Sequence, residues 1–320
     1  MLEILLSNHM EILRAGGVVA TFLLTVLFTV LLRGKLPTDQ GRKFAVEGGL
    51  SKGKARGAGI IFVLCYVCMT LILVRPQTEI ILYLVLIVLS MLTGFFDDAS
   101  EKPWNEYKKG ILDFLIAAGI TATYIYFNGT GIRLAFTGTE FTMPVWLFAI
   151  LSVVLVWTSI NVTNCTDGVD GLSATVALVT LMSFYSFMKN SAGNEGFSYS
   201  IVLFSVTLLA YLLFNATPSL ILMGDAGSRA MGTLIAIAAL KCRDPFLFLI
   251  FAIVLILDGG LGLLKLSLKR FLKISIMKNT RTPLHDQARK VNEWSNTQVV
   301  FRFAIIQIII SAAALMFINK

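Results

Sequence analysis

The sequence predicts an all-α polytopic membrane protein of about ten transmembrane helices. Hydrophobic residues make up 56% of the 320-residue chain and charged residues 14%, with a mean hydropathy of +0.79, too apolar for a soluble globular protein. Apolar windows of about 18 residues or more, enough to cross a bilayer as helices, recur along the whole length. Outer-membrane barrels alternate apolar and polar residues, and these runs do not.

Spans are expected at 16–33, 57–75, 79–96, 110–127, 144–160, 170–188, 198–215, 220–240, 244–268 and 299–318. Polar segments 34–56, 97–109, 161–169, 216–229 and 269–298 separate them on one side. With the adjoining span ends these segments hold 20 of the 27 lysines and arginines, the excess that marks cytoplasmic loops. An even number of spans then leaves both termini outside. The net charge of +8 thus describes orientation, and no nucleic-acid partner is expected. Residues 1–320 are expected to form a single integral membrane domain without repeats. No cleavable signal is expected, because Glu3 and Glu11 occupy the first residues without a cleavage site. Cys65 and Cys68 form a CxxC inside an apolar span, where small soft residues usually pack. Two histidines, His9 and His285, are too few for a histidine-rich zinc site.

The polar clusters all fall on the cytoplasmic side. Between the fifth and sixth spans stands Asn161-Val-Thr-Asn164-Cys-Thr-Asp167-Gly168-Val-Asp170-Gly171-Leu172. Asn161 and Asn164 share a helix face, and Asp167 and Asp170 repeat the spacing. Such oxygen-rich side chains suit a hard cation or a polar substrate; the plainer reading is a capped turn. In the first loop, Ser51 to Gly59 mixes Lys52, Lys54 and Arg56 with glycines, which could bring cations and backbone N–H groups to phosphates or simply anchor the span. Asp97-Asp98 closes the third span, and paired carboxylates favour a bound cation. Asp225 lies between the glycines of Gly224-Asp225-Ala-Gly227-Ser228, where a ligand can approach the backbone. Asp258-Gly-Gly-Leu-Gly262 interrupts the ninth span and suggests a bend. The last loop carries Thr280-Arg281-Thr-Pro283-Leu-His285-Asp286-Gln287-Ala-Arg289-Lys290.

In this order the clusters resemble the polyprenyl-phosphate N-acetylhexosamine-1-phosphate transferase superfamily. Its pattern has an Asp-Asp pair, an Asn-x-x-Asn-x-x-Asp-Gly-x-Asp-Gly-Leu block, a Gly-Asp-x-Gly-Ser block and a histidine in the last cytoplasmic loop. The resemblance covers nearly the whole chain, and the middle block is its most specific part. Within the superfamily the sequence is most similar to the phospho-N-acetylmuramoyl-pentapeptide transferase family, through Trp294-Ser-Asn-Thr-Gln298-Val-Val-Phe-Arg302-Phe303, Pro283-Leu284-His285 and the basic, glycine-rich first loop. That resemblance implies a ten-spanning, dimeric, Mg2+-dependent enzyme of the bacterial cytoplasmic membrane, multi-pass and with its active site facing the cytoplasm. Undecaprenyl phosphate would attack the β-phosphate of UDP-MurNAc-pentapeptide, giving the lipid-linked sugar and UMP.

The implied roles carry over residue by residue. Asp225 is the principal metal ligand, with Asp97 and Asp98 beside the ion and Asp97 also a proton acceptor. Lys52 contacts the diphosphate. Asn161, Asn164, Asp167, Asp170 and Asn215 bind uridine and sugar, with Gly224 and Leu222 at the nucleotide. His285 orients the muramoyl or phosphate side, and Arg281 and Arg289 add positive field. The lipid tail is expected near the bent ninth span and Asp258. A covalent route through Asp98 is the alternative to direct attack. Three positions depart from the pattern: Glu101 replaces a usual lysine, His285 stands without neighbouring histidines, and Leu222 occupies a usually aromatic site. Two rival functions are the same transfer from UDP-GlcNAc and an ion-coupled transporter. A transporter should place its carboxylates near mid-membrane and show repeats; here they gather on one face.

Overall fold

Polar groups in hydrocarbon must find partners within the protein, and the first helix satisfies them internally. In helix α1 (Met10–Leu32), the hydroxyls of Thr21, Thr25 and Thr29 each donate to the carbonyl four residues earlier, at 2.7–2.8 Å. This computed structural model describes residues 10–39, 41, 51–100, 102, 104–189 and 193–318; Glu101 lies outside them.

The described chain is almost wholly helical. After α1 come α2 (Gly59–Leu73), α3 (Thr78–Asp98), α4 (Glu106–Asn128), α5 (Val145–Thr166), α6 (Leu172–Met188), α7 (Glu195–Asn215) and α8 (Gly224–Lys241). The ninth apolar segment is broken into α9 (Phe248–Phe251), α10 (Ile253–Leu255), a π-helical turn at Ile256–Gly260, and α11 (Leu261–Phe271). A short loop helix α12 (Leu284–Lys290) and the apolar α13 (Asn296–Ile318) follow. Two small sheets complete the described fold. Strands β1 (Ala55–Arg56) and β4 (Ile221–Leu222) pair in parallel, and β2 (Gly131–Arg133) pairs antiparallel with β3 (Glu140–Thr142).

Among the described residues, six helices are long and apolar enough to cross a membrane, and the bent ninth segment would make seven. The protein is therefore an all-α membrane protein. Apolar α2 and α6 are shorter, within 10–17 residues. The expected bend is present at 71° between Pro245–Phe251 and Ile253–Phe271. It falls at Ala252, upstream of the glycines that suggested it, and Asp258-Gly-Gly lies in the π-turn.

Helix α8 is the centre of the bundle. Every one of its residues except Asp225 is buried. Its run of glycine, alanine and serine lets neighbouring backbones come close, which is how membrane helices gain packing energy. A Cβ on Gly94 of α3 would strike the Asp225 carbonyl, so glycine there sets the distance between the two helices. On the other flank, the Ser159 hydroxyl of α5 donates to the Gly232 carbonyl at 2.7 Å.

At the end of α8 away from Asp225, Lys241 Nζ donates to Glu79 Oε2 at 3.0 Å and to Asn128 Oδ1 at 3.0 Å, while Tyr83 donates to Glu79 at 3.0 Å. This pins the ends of α3, α4 and α8. Removing one partner of a buried pair costs about 3–5 kcal/mol, whereas apolar replacement of both can be neutral. We expect Glu79→Leu and Lys241→Met each to lower the thermal unfolding midpoint in detergent, and the double substitution to recover most of the loss.

Candidate active site

The site assembles where α3 ends, α8 begins and the first loop crosses them. Asp97 and Asp98 are the last residues of α3; Asp225 is in the first turn of α8. Asp97 accepts from the Trp104 backbone N–H at 2.8 Å and forms an ion pair with Lys109. Asp98 accepts from the Ala226 N–H at 3.3 Å, placing its charge at a helix N-terminus, where anions are favoured. Gly224 is left-handed at φ 67°, and a Cβ there would fall on the Asp98 carboxylate. Glycine is thus required at 224 on two counts.

Two cations tie the carboxylates together. Arg56 Nη2 lies 2.8 Å from Asp98 Oδ1 and 3.7 Å from Asp225 Oδ1. Lys109 bridges Asp97 and Asp225, its Nζ 3.4 Å from Asp225 Oδ2. Burial works against the Arg56 charge, but Asp98, Asp225 and Asp39 outweigh it and hold the guanidinium above its ordinary value. Arg56 arrives by strand pairing, since it stands opposite Leu222 in the β1–β4 register. Buried Asp39 orients it from behind, with Oδ1 3.1 Å from Arg56 Nη1 and Oδ2 accepting from the Ser51 hydroxyl at 2.6 Å. Among the described residues, no group of three metal-ligating side chains stands ready for an ion; each of the three aspartates is engaged by a cation.

Around this core the other predicted residues are placed unevenly. Lys52 is exposed, and the cations against the carboxylates are Arg56 and Lys109. Lys54 lies 3.8 Å from Asp170 and donates to the Ser219 hydroxyl at 2.9 Å. Asn164 donates to the Ser228 hydroxyl at 2.9 Å, one turn from Asp225. Asn161 points elsewhere, to the Trp157 carbonyl at 2.8 Å and Asp113 at 3.3 Å. Asp170 accepts from the Ser219 N–H at 3.1 Å, and Asp167 is half-buried in the same turn. Asn215 is buried with both ends of its amide committed: Oδ1 accepts from the Gly171 N–H and Nδ2 donates to the Ile221 carbonyl, each at 2.8 Å. Leu222 is half-buried on β4. His285 on α12 is buried, Arg281 is exposed and Arg289 is half-buried.

Residues 80–243 match the model of the glycosyl transferase family 4. A phospho-N-acetylmuramoyl-pentapeptide-transferase from Treponema pallidum (strain Nichols) is 40% identical over 291 residues, covering 85% of this chain and 80% of the relative. The chain belongs to the phospho-N-acetylmuramoyl-pentapeptide-transferase family. Proteins of the same name from Thermotoga neapolitana and Clostridium perfringens (strain 13 / Type A) are 27% identical over 310 residues and 29% identical over 314. The first alignment covers 93% of this chain and 97% of the relative, the second 91% and 93%.

This family member also uses residues that sequence reasoning passed over. Lys109 and Asp113 are four apart on α4, a spacing that puts both on one face; Asp113 pairs with buried Arg229 of α8. A lone carboxylate in an apolar span was the available signal. For Asn215 the structure gives a scaffold role. Since a buried polar group left unpaired costs about 1–3 kcal/mol, Asn215→Ala should lower the unfolding midpoint clearly, measured in detergent without any ligand.

Proposed function

We propose that the chain transfers phospho-MurNAc-pentapeptide from UDP-MurNAc-pentapeptide to undecaprenyl phosphate. A phosphate oxygen of the lipid attacks the β-phosphorus of the nucleotide, the bond to the bridging oxygen breaks, and UMP leaves. The observation that carries this reading is the clustering of Asp97, Asp98 and Asp225 with Arg56 and Lys109 in a member of this family. Meeting of two anions requires fixed positive charge in a poorly solvated place. Arg56 and Lys109 supply it, and both are held by aspartates that keep them in position.

The aspartates offer only oxygen donors, which suits Mg2+. That ion commonly takes one or two carboxylates and fills its remaining positions with water and phosphate. Asp225, with Asp97 and Asp98 beside it, would hold it, and its charge would offset that of the diphosphate. Asp97 would accept any proton remaining on the lipid phosphate. The nucleotide and sugar would lie against the 161–170 turn, the Leu222–Gly224 strand end and His285, with Arg281 and Arg289 at the rim.

For the lipid tail an apolar groove of about 620 Å3 runs between α4 and α5, lined by Gly110, Phe114, Ile150, Val153 and Trp157. Gly110 in its lining follows Lys109 on α4, so a tail lying there would have its phosphate end toward the end of α4 that carries Lys109. This differs from the expected path beside Asp258, whose carboxylate is covered by His285.

The ten-span reading is supported by ten apolar helical segments among the described residues, counting α2, α6, α8 and the bent ninth. The charge bias supports a site facing the cytoplasm with both termini outside, and the resemblance implies a bacterial inner membrane. We take the chain as one domain and a homodimer, as its resemblance implies. Transfer from UDP-GlcNAc is the less favoured alternative, given the names of the similar proteins.

Purified protein with undecaprenyl phosphate and Mg2+ should release UMP from UDP-MurNAc-pentapeptide and not from UDP-GlcNAc. Asp225→Ala should abolish release, and Arg56→Ala or Lys109→Ala should each lower kcat about 10²–10³-fold. Release from UDP-GlcNAc alone would overturn the substrate assignment. In the groove, Val153→Trp should raise the KM for undecaprenyl phosphate about tenfold, near 1.4 kcal/mol, and leave the KM for the nucleotide unchanged.

A further inference from the structure

One buried carboxylate near the site takes no part in the chemistry so far. Asp258 is fully buried in the π-turn of the ninth segment. It reaches across 27 residues to α12, where Oδ1 accepts from the His285 backbone N–H at 2.7 Å and Oδ2 lies 2.8 Å from His285 Nδ1. Facing an ionised carboxylate, which can only accept, Nδ1 is the ring nitrogen to which the proton is assigned. The side chain of His285 is 4% exposed and that of Asp258 is 0% exposed. The other edge of the imidazole faces the long polar block: a Cβ on Gly168 would fall on His285 Nε2, and Asp286 Oδ1 is 4.0 Å from that atom.

We propose that Asp258 is a positioning residue for His285. It fixes both the ring orientation and the tautomer, so that Nε2, with its lone pair, is the edge presented beside the Asp167-Gly168 turn. The partner of one ring nitrogen decides what the other can do. Here the second nitrogen becomes an acceptor for an O–H or N–H of the sugar nucleotide, a consequence that rests on the transferase reading. The pair of hydrogen bonds to Asp258 also explains how a lone histidine in a loop is held. Backbone and ring are clamped by one carboxylate, and the wider π-turn, a feature often found at functional sites, presents it.

The tautomer can be read without catalysis. The chain has two histidines, so His9→Asn leaves His285 as the single imidazole for 15N-histidine NMR in detergent. The expected spectrum shows Nδ1 protonated and Nε2 bare; Nε2 protonated in the neutral ring would overturn the proposal. Asp258→Asn keeps the volume but offers an amide that can donate to Nδ1, and should shift the population toward protonated Nε2. In the UMP assay, Asp258→Asn should lower kcat about 10–100-fold, as loss of an orienting partner commonly does, with the nucleotide KM within about threefold. Asp258→Asn combined with His285→Ala should be no slower than His285→Ala alone; multiplied losses would overturn the proposal. Failure of turnover with every nucleotide would count against the transferase reading only, since the spectrum still decides the Asp258–His285 assignment.

Discussion

Three carboxylates held together at the ends of apolar helices are the constraint from which much of this structure follows. Asp97, Asp98 and Asp225 would repel one another, and withdrawing each from water costs several kcal/mol. The chain resolves this with Arg56 and Lys109, each touching two of the three. Neither cation is free to wander. Arg56 is tethered through a two-residue strand pair and backed by Asp39; Lys109 projects from the first turns of α4, just beyond the Trp104 backbone that also binds Asp97. The polar site therefore organises the loop, and the loop does not merely cover the site.

The same logic extends one helical turn deeper. Asp113 and Arg229 pair between α4 and α8, and the amide of Asn161 reaches the same aspartate at 3.3 Å. Close helix approach makes such pairing possible. With Gly94 against the Asp225 carbonyl, the charged ends of α3 and α8 lie near enough for one guanidinium to serve both. A larger residue at 94 would separate the helices and lengthen the contacts by which Arg56 and Lys109 reach Asp225 as well.

Legibility in the sequence followed the contrast between polar residues and their surroundings. In apolar spans an Asp-Asp pair or a block of amides and carboxylates stands out, so the site's acidic half could be read directly. Its basic half could not. Lys109 at the start of a span looks like ordinary orientation charge, and nothing local distinguishes Arg56 from Lys52 or Lys54; pairing with a strand 166 residues away does. Asn215 was legible as polar but not as scaffold, because its partners, Gly171 and Ile221, are main-chain groups. Span ends were misplaced in both directions for the same reason of locality. Hydropathy windows follow apolar residues and not hydrogen bonds. Helix α2 contains 15 residues and α6 contains 17, fewer than the expected 57–75 and 170–188. By contrast, α4 contains 23 and α5 contains 22, running past 110–127 and 144–160 into polar sequence.

The placement of the groove gives the site its physical sense. A long apolar acceptor is confined to the bilayer, whereas a nucleotide sugar is confined to water, so their phosphates can meet only near the interface. Helix ends are where a membrane protein can expose charge while its spans remain in hydrocarbon. An apolar groove is lined by Phe114, Trp157 and Gly110, and in α4 Gly110 follows Lys109, whose ammonium is already held by two carboxylates. On the proposed reading, the lipid phosphate arriving there meets positive charge fixed before it comes, so little reorganisation is needed when the two anions approach. The turn at Gly168 lies against His285, which Asp258 holds through both backbone and ring. On that reading one edge of the site would face the lipid and the other the sugar, with α8, buried along its length except at Asp225, between them.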